Sequence, residues 1–146
     1  MKAEVTGIDE ANDKLTAELR KMGRLSERFV TKSLISISAQ TLPMIPIDTR
    51  FLVNSEYRKV KEFLGGYEGE IGYGAFYAAW VHDSPGTLKG LPRENFGKTR
   101  EGVDLGGRRS QGVYWGPDGE PGFLAKGVEA FIEDELDRLI KEELGD

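Results

Sequence analysis

Few side chains in this sequence have the chemistry for a reaction. The single histidine, His82, stands beside Asp83, and a carboxylate next to an imidazole can orient a general base or make a pH-sensitive contact. A lone histidine is a poor signature of a site, so the expected role is an end-of-element polar residue bonded to backbone or water. Asp48 and Thr49 follow Ile47 and precede Leu52. With no second titratable group nearby they read as a cap or turn, with Phe51 and Leu52 pointing inward. Glu133, Asp134, Glu135, Asp137, Glu142 and Glu143 match no calcium loop and read mostly as the solvated face of a helix. Asp118-Gly-Glu120 reads as a turn, and Gly106-Gly-Arg-Arg-Ser-Gln-Gly112 lacks the lysine and following helix of a phosphate-binding loop. The absence of cysteine removes disulfides, thiolate metal sites and cysteine nucleophiles, and one histidine excludes a site that needs two. No catalytic residue, metal or cofactor is expected.

The elements that must position these residues are legible from periodicity. Apolar residues at Ile8, Leu15, Leu19, Met22, Phe29, Val30, Leu34 and Ile37 predict one long helix, bent at Gly23, opened by a capping pair Thr6–Asp9 and ended by Pro43 and Pro46. Ser55 to Phe63, then Gly65-Gly66, then Tyr67 to Tyr73 predict a hairpin. Ala75 to Val81 is too short for periodicity to separate helix from strand. Leu124, Val128, Phe131, Ile132, Leu136, Leu139, Ile140 and Leu144 predict a last helix over Phe123 to Leu144, with Pro121 near its first turn and Gly145 as its cap. The fold class expected is α+β: a small antiparallel sheet packed by a long N-terminal helix and a C-terminal helix.

At 146 residues the chain fits one domain, and 38% hydrophobic content is enough for a core when roughly two-thirds of the unfolded surface is hidden. A net charge of -5 argues against a broad basic face for nucleic acid. No apolar stretch approaches the roughly 18 to 20 residues of a spanning helix, and no membrane anchor is expected.

Between Asp83 and Gly122 lie ten of the nineteen glycines and four of the six prolines. Ordering about forty residues costs tens of kcal/mol, which few local contacts offset. Because the stretch carries Leu91, Phe96, Tyr114 and Trp115, it is expected to reach across a neighbouring subunit or partner, the alternative being a hairpin folded on its own domain. Arg100, Arg108 and Arg109 are diluted by Glu94, Glu101 and Asp104, so tight DNA binding is not expected.

Four fragments share an order. Val5-Thr-Gly-Ile-Asp-Glu-Ala opens the first helix, Pro43-Met-Ile-Pro-Ile-Asp-Thr-Arg-Phe-Leu-Val-Asn-Ser55 follows it, then Phe76-Tyr-Ala-Ala-Trp-Val-His82, then Pro121-Gly-Phe-Leu124. Together they resemble the phage tail-completion or head-to-tail joining family of long-tailed phages. That family's second fragment usually reads Pro-x-Asp-Thr-Gly-x-Leu-x-x-Ser, its third Tyr-Ala-x-x-Val-Glu-x-Gly-Thr, and its fourth Pro-Phe-Leu. The resemblance implies a single small α+β domain over residues 1–146, with an arm at about 83–122, and a structural role without a reaction. Pro46, Asp48, Thr49, Leu52, Ser55, Tyr77 and Ala78 would be its structural motif. Trp80, Leu91, Phe96, Arg108, Tyr114 and Trp115 would make oligomer or partner contacts.

The resemblance further implies a virion protein of the neck or upper tail, assembled in the host cytoplasm. It would be a homo-oligomeric ring, a hexamer or else a dodecamer, against the head connector or the tail-tube and terminator proteins. DNA would meet it only by passage through the channel, where a weakly negative wall suits a sliding polyanion. Arg50 departs from the motif glycine, which implies a turn that does not rely on left-handed geometry. His82 replaces an acid, Gly122 is additional, and the stretch from Pro85 to Gly119 is longer than the family loop. The competing class is a small hydrolase or nuclease using His82 with a carboxylate such as Asp83.

Overall fold

The long apolar-striped segment forms a single helix. In the computed structural model, which describes residues 8–46, 50–87, 89 and 118–145, α1 (Ile8–Thr41) continues through Gly23 without interruption. At roughly 1.5 Å per residue it is about 50 Å long. Pro43 ends it by converting Leu42–Met44 to a single 3-10 turn, since proline lacks the N–H and its ring crowds the preceding turn. The capping residue expected at Thr6 lies outside the described residues.

After α1 come α2 (Phe51–Asn54), β1 (Glu56–Phe63), β2 (Gly66–Tyr73), α3 (Ala78–Asp83), α4 (Phe123–Asp134) and α5 (Leu136–Leu144). The fold is α+β, as expected. The ambiguous apolar run resolves as the short helix α3, and only Ala75 and Ala78 of it are buried. β1 and β2 pair antiparallel from Glu56↔Tyr73 to Phe63↔Gly66, and the turn rests on Gly65 at φ 106°, a conformation glycine adopts without steric cost.

One face of the hairpin lies on α1. Gly69 sits so close to Val30 and Leu34 that a Cβ there would stand 2.8 Å from Val30 Cγ1, so the sheet approaches the helix backbone where a side chain is missing. At the other end of the ribbon Glu56 accepts hydrogen bonds from Ser38 Oγ at 2.8 and 2.9 Å and from Tyr73 Oη at 3.1 Å. Burial, reinforced by the Glu56 carboxylate, pushes the Tyr73 phenol well above its ordinary range.

The C-terminal segment differs from the single helix expected. It breaks at Glu135, whose backbone leaves helical geometry at φ −125°, while its carboxylate is held by Ser36 Oγ and by Gln40 Nε2 on α1. Those two bonds hold the Glu135 carboxyl below its ordinary range, with the serine making the larger contribution. Beyond the break, α5 turns Leu139 and Glu143 toward α1. Glu143 is buried, not solvated, and it meets Arg28 at 3.1 Å and Lys32. Ile132 and Leu144, read as part of the apolar stripe, are about half exposed.

The core has two parts. Ile37, Phe131 and Leu139 pack where α1 meets α4 and α5, and Ile45, Leu52, Ala75, Ala78 and Phe123 pack at the C-terminal end of α1. Leu124 touches both. They are joined by the crossing of α1 and α4, where fully buried Thr41 faces Gly127. Thr41 Oγ1 donates to Ile37 O at 2.8 Å, which satisfies its hydroxyl inside the helix pair.

A Cβ on Gly127 would lie 2.0 Å from Thr41 Oγ1 and 3.1 Å from Thr41 Cα, and backbone cannot give way as a flexible side chain can. Gly127→Ala is therefore expected to destabilise the fold by about 2 kcal/mol or more despite its gain in helix propensity. Adding Thr41→Ala should recover part of the loss. Urea denaturation of the single and double variants checks this; a Gly127→Ala protein at least as stable as the parent would contradict the packing.

Candidate functional site

The residues singled out from the sequence fall into three places. Ile45 and Leu52 from the second fragment, Ala78 from the third and Phe123 from the fourth share one core cluster. Phe123, 1% exposed, meets the rings of Tyr73 at 5.5 Å and His82 at 5.2 Å edge-on. Pro46 is half-buried beside this cluster. Ser55 closes the α2 turn, its Oγ donating to Leu52 O at 2.7 Å and its carbonyl accepting from Gly74 N at 2.8 Å. Asp48 and Thr49 lie outside the described residues, as do Leu91, Phe96, Arg108, Tyr114 and Trp115.

Two readings of this region are corrected. Phe51 does not point inward: it is about half exposed, with its ring 6.2 Å from Tyr77. Arg50 does take the left-handed geometry, at φ 64° and ψ 3°, and caps α2 through Asn54 N, which donates to Arg50 O at 2.9 Å. A side chain in this left-handed conformation bears a strain that glycine would lack.

His82 and Asp83 do meet, Nδ1 to Oδ1 at 2.9 Å. His82 O accepts from Gly122 N at 2.8 Å and its ring leans on Phe123, which ties the end of α3 to the start of α4. The neighbouring Ser84 hydroxyl donates to Trp80 O at 2.6 Å. Among the described residues no three His, Asp or Glu side chains gather in a set that could hold a metal, and no described helix is long and apolar enough to cross a membrane.

Glu120, read as part of a turn, is a clamp. Its carboxylate takes Lys89 Nζ at 2.6 Å and Lys126 Nζ at 2.9 Å, and its N–H donates to Met44 O at 2.8 Å. The pair with Lys89 brings together the two margins of the Gly/Pro-rich stretch and fastens both to the end of α1. Helix α4 begins just after it, with Gly122 at φ 65° as its N-cap. Pro121 directly precedes that cap, near the first turn as expected.

Two groups of exposed apolar side chains stand out among the described residues. At the α1 start Leu15, Leu19 and Met22, expected to face a core, are 60%, 60% and 62% exposed. Beside them the hairpin tip presents Phe63 and a fully exposed Leu64. An open groove of about 430 Å³ separates helix from hairpin, lined by Leu19, Arg20, Arg24, Glu62 and Tyr67 among others. At the opposite end Phe76 is 94% and Trp80 70% exposed, with Phe76 edge-on to Tyr77 at 5.1 Å. Sequence reasoning named Trp80 but missed Phe76 and the tip. The signal for the tip was two large apolar residues directly before Gly65-Gly66, where a turn leaves nothing to pack on.

No protein-family model, curated protein or solved structure matches the chain.

Arg50→Gly is expected to stabilise the protein by about 0.5 to 1 kcal/mol, since the left-handed cost is removed and only part of it returns as backbone entropy; a lower denaturation midpoint would refute the strain. Glu120 gives a pH signature. Lys89, then Lys126, hold its carboxyl at about 2, against an ordinary value of 4.5, so the folded state binds this proton less tightly than the unfolded chain. Its contribution is complete above the ordinary value and fades as pH falls from there toward about 2. With the side chain 36% exposed, solvent screening keeps the effect small. Glu120→Gln should be less stable than the parent at neutral pH and converge with it near pH 2, as read from denaturation midpoints; a gap that persists unchanged into acid would exclude the clamp.

Proposed function

We propose that this chain is a structural subunit of a long-tailed phage, a tail-completion or head-to-tail joining protein that acts as a ring in the neck or upper tail. The observation that carries the reading is the convergence of three of the four ordered fragments on the core around Phe123. The motif residues there act as scaffold: Leu52, Ala78 and Phe123 are buried, and the side chains they hold outward are aromatic. A joint of this kind works by burial without a reaction. Contacts that are individually weak repeat around a closed symmetric ring, so opening it requires several to fail together. The head connector on one face and tail-tube or terminator proteins on the other are the partners this role implies, with DNA passing through the opening.

The competing reading, a small hydrolase or nuclease, has one observation in its favour, the 2.9 Å contact of His82 and Asp83. A base oriented in this way needs a nucleophile or bound water and a further polar donor converging on it. Its neighbours are Phe123 on one side and solvent on the other.

Native mass spectrometry of the purified chain over a range of concentrations separates the two. The ring reading expects a closed oligomer of one size, a hexamer or else a dodecamer, and unchanged assembly in His82→Ala. A chain that stays monomeric when concentrated, and that hydrolyses a nucleic acid or ester in a manner lost in His82→Ala, would establish the alternative.

A further inference from the structure

The described sheet has two strands, so β1 has one paired edge and one edge with no strand beside it among the described residues. The hydrogen-bond phase says which groups stand on that edge. Gly74 N donates to Ser55 O at 2.8 Å, which places the bonded pairs of the antiparallel register at Tyr57↔Gly72, Lys59↔Glu70, Lys61↔Glu68 and Phe63↔Gly66. The N–H and C=O groups of Glu56, Arg58, Val60 and Glu62 therefore point out of the ribbon. On the β2 side the helices are close, with Tyr73 against Phe123 and Ile71 against the cluster of Ile37, Phe131 and Leu139. No β1 side chain belongs to either core cluster. Nor does β1 carry a proline or a bulge, two of the devices that blunt an open edge.

Read in reverse, this strand is complementary to itself. With Val60 opposite Val60 of another copy, Arg58 meets Glu62 and Tyr57 meets Phe63, each twice across a two-fold axis, and opposite charges and aromatic pairs are favourable cross-strand neighbours. Phe63, 56% exposed beside the tip residue Leu64, thereby gains a cover. Lys59 meets Lys61, the one like-charge pair. Both lysines already face acids in their own hairpin, Lys59 opposite Glu70 and Lys61 opposite Glu68, and Lys59 Nζ also lies over its own Tyr57 ring at 4.9 Å. β2 offers no such match, since it presents Gly66, Gly69 and Gly72 with two like charges, Glu68 and Glu70.

We infer that β1 pairs antiparallel with β1 of a second copy about a two-fold axis at Val60, making one continuous sheet of two hairpins. Both α1 helices then lie on the same face. Each packs under its own β2, where Gly69 meets Val30 and Leu34, and three strand spacings of about 4.8 Å separate the two β2 strands, more than the roughly 8 to 10 Å at which helices pack. The inference goes beyond the ring proposal and does not rest on it. A like-to-like contact is complete with two chains, whereas each step of a ring joins unlike surfaces; the two coexist where a two-fold axis joins one ring to another.

The sequence contains no cysteine, so introduced thiols report without background. Across a bonded antiparallel pair the Cα atoms stand about 5.5 Å apart, a span that a disulfide bridges. Val60→Cys alone should therefore form a covalent dimer on mild oxidation. Lys59→Cys and Lys61→Cys, both at exposed positions, should cross-link when mixed and not singly, because each lies about 7 to 8 Å on the diagonal from its own counterpart. Sedimentation equilibrium gives an independent readout: Arg58→Glu and Glu62→Arg should each weaken the dimer about tenfold, and the double reversal should restore it. Arg58 also meets Glu56 at 3.3 Å within its own strand; Glu62→Arg leaves that pair intact, and unchanged urea midpoints show that the folded chain is what associates. Cross-linking of Lys59→Cys with Glu70→Cys between chains would overturn the inference in favour of β1 joining β2 of the next copy. A closed ring in which Val60→Cys stays unlinked would overturn the two-fold contact and leave the ring proposal standing. A dimer that cross-links as expected and never grows into a larger assembly would uphold the contact and end the ring proposal. A monomer at all concentrations would end both.

Discussion

The close approach of α1 and α4 is the constraint on which the remaining structure depends. Two helices can touch backbone to backbone only where one of them gives up its side chain, and here Gly127 does so against Thr41, which is wholly buried. That approach sets Phe131 on the α1 side, beside Ile37, and sets Phe123 one helix-start away, under α2 and α3. Removing a phenyl ring from such a site typically costs about 3 to 5 kcal/mol, a large fraction of the 5 to 15 kcal/mol typical of a domain. The aromatic end of the molecule thus takes its position from a contact made on its inner side.

Around this crossing the acidic side chains serve as fasteners. Glu56, Glu135 and Glu143 each turn toward α1, and each finds donors there: Ser38 for the first, Ser36 and Gln40 for the second, Arg28 and Lys32 for the third. A carboxylate removed from water without such partners would be costly. Spaced along α1, the three carboxylates fix how the hairpin, the α4–α5 joint and α5 lie on the long helix, a role that apolar contacts perform with less angular selectivity. The break at Glu135 follows from this, because its carboxylate is oriented by Ser36 and Gln40 at the point where the helical backbone stops.

Local chemistry was legible in the sequence, and partnership was not. Proline 43, the Gly65-Gly66 turn and the apolar period of the terminal segments specify elements through rules that act within a few residues, so the long helix, the hairpin and the α+β class were readable. Glu143 was read as solvent-facing because its sequence neighbours are acidic, while the cations that neutralise it lie more than a hundred positions away on α1. Leu15, Leu19 and Met22 have the period of a core face, yet among the described residues no element covers them. Periodicity states that a face is apolar and leaves open what covers it. Arg50 was misjudged for a related reason: the turn's geometry is imposed by Leu52 entering the core and the Asn54 bond, and the residue's own preference is overridden. Of the candidate site residues, Leu52 and Ala78 are buried and Trp80 is exposed.

The same asymmetry explains how a small fold can present two unlike surfaces without collapsing on them. A 34-residue helix is longer than the core it supports, so its first turns project beyond the packed region and their apolar stripe is left exposed. Shortening α1 to the core would remove the exposed stripe and also the surface that opposes the hairpin tip. The Lys89–Glu120 clamp acts at the other end in a complementary way. It joins two residues 31 positions apart in sequence, and so ties the two margins of the Gly/Pro-rich stretch to each other. Phe76 and Trp80 thus stand outward from a base that Phe123 fills from below and that the Glu120 N–H to Met44 O bond ties to the end of α1.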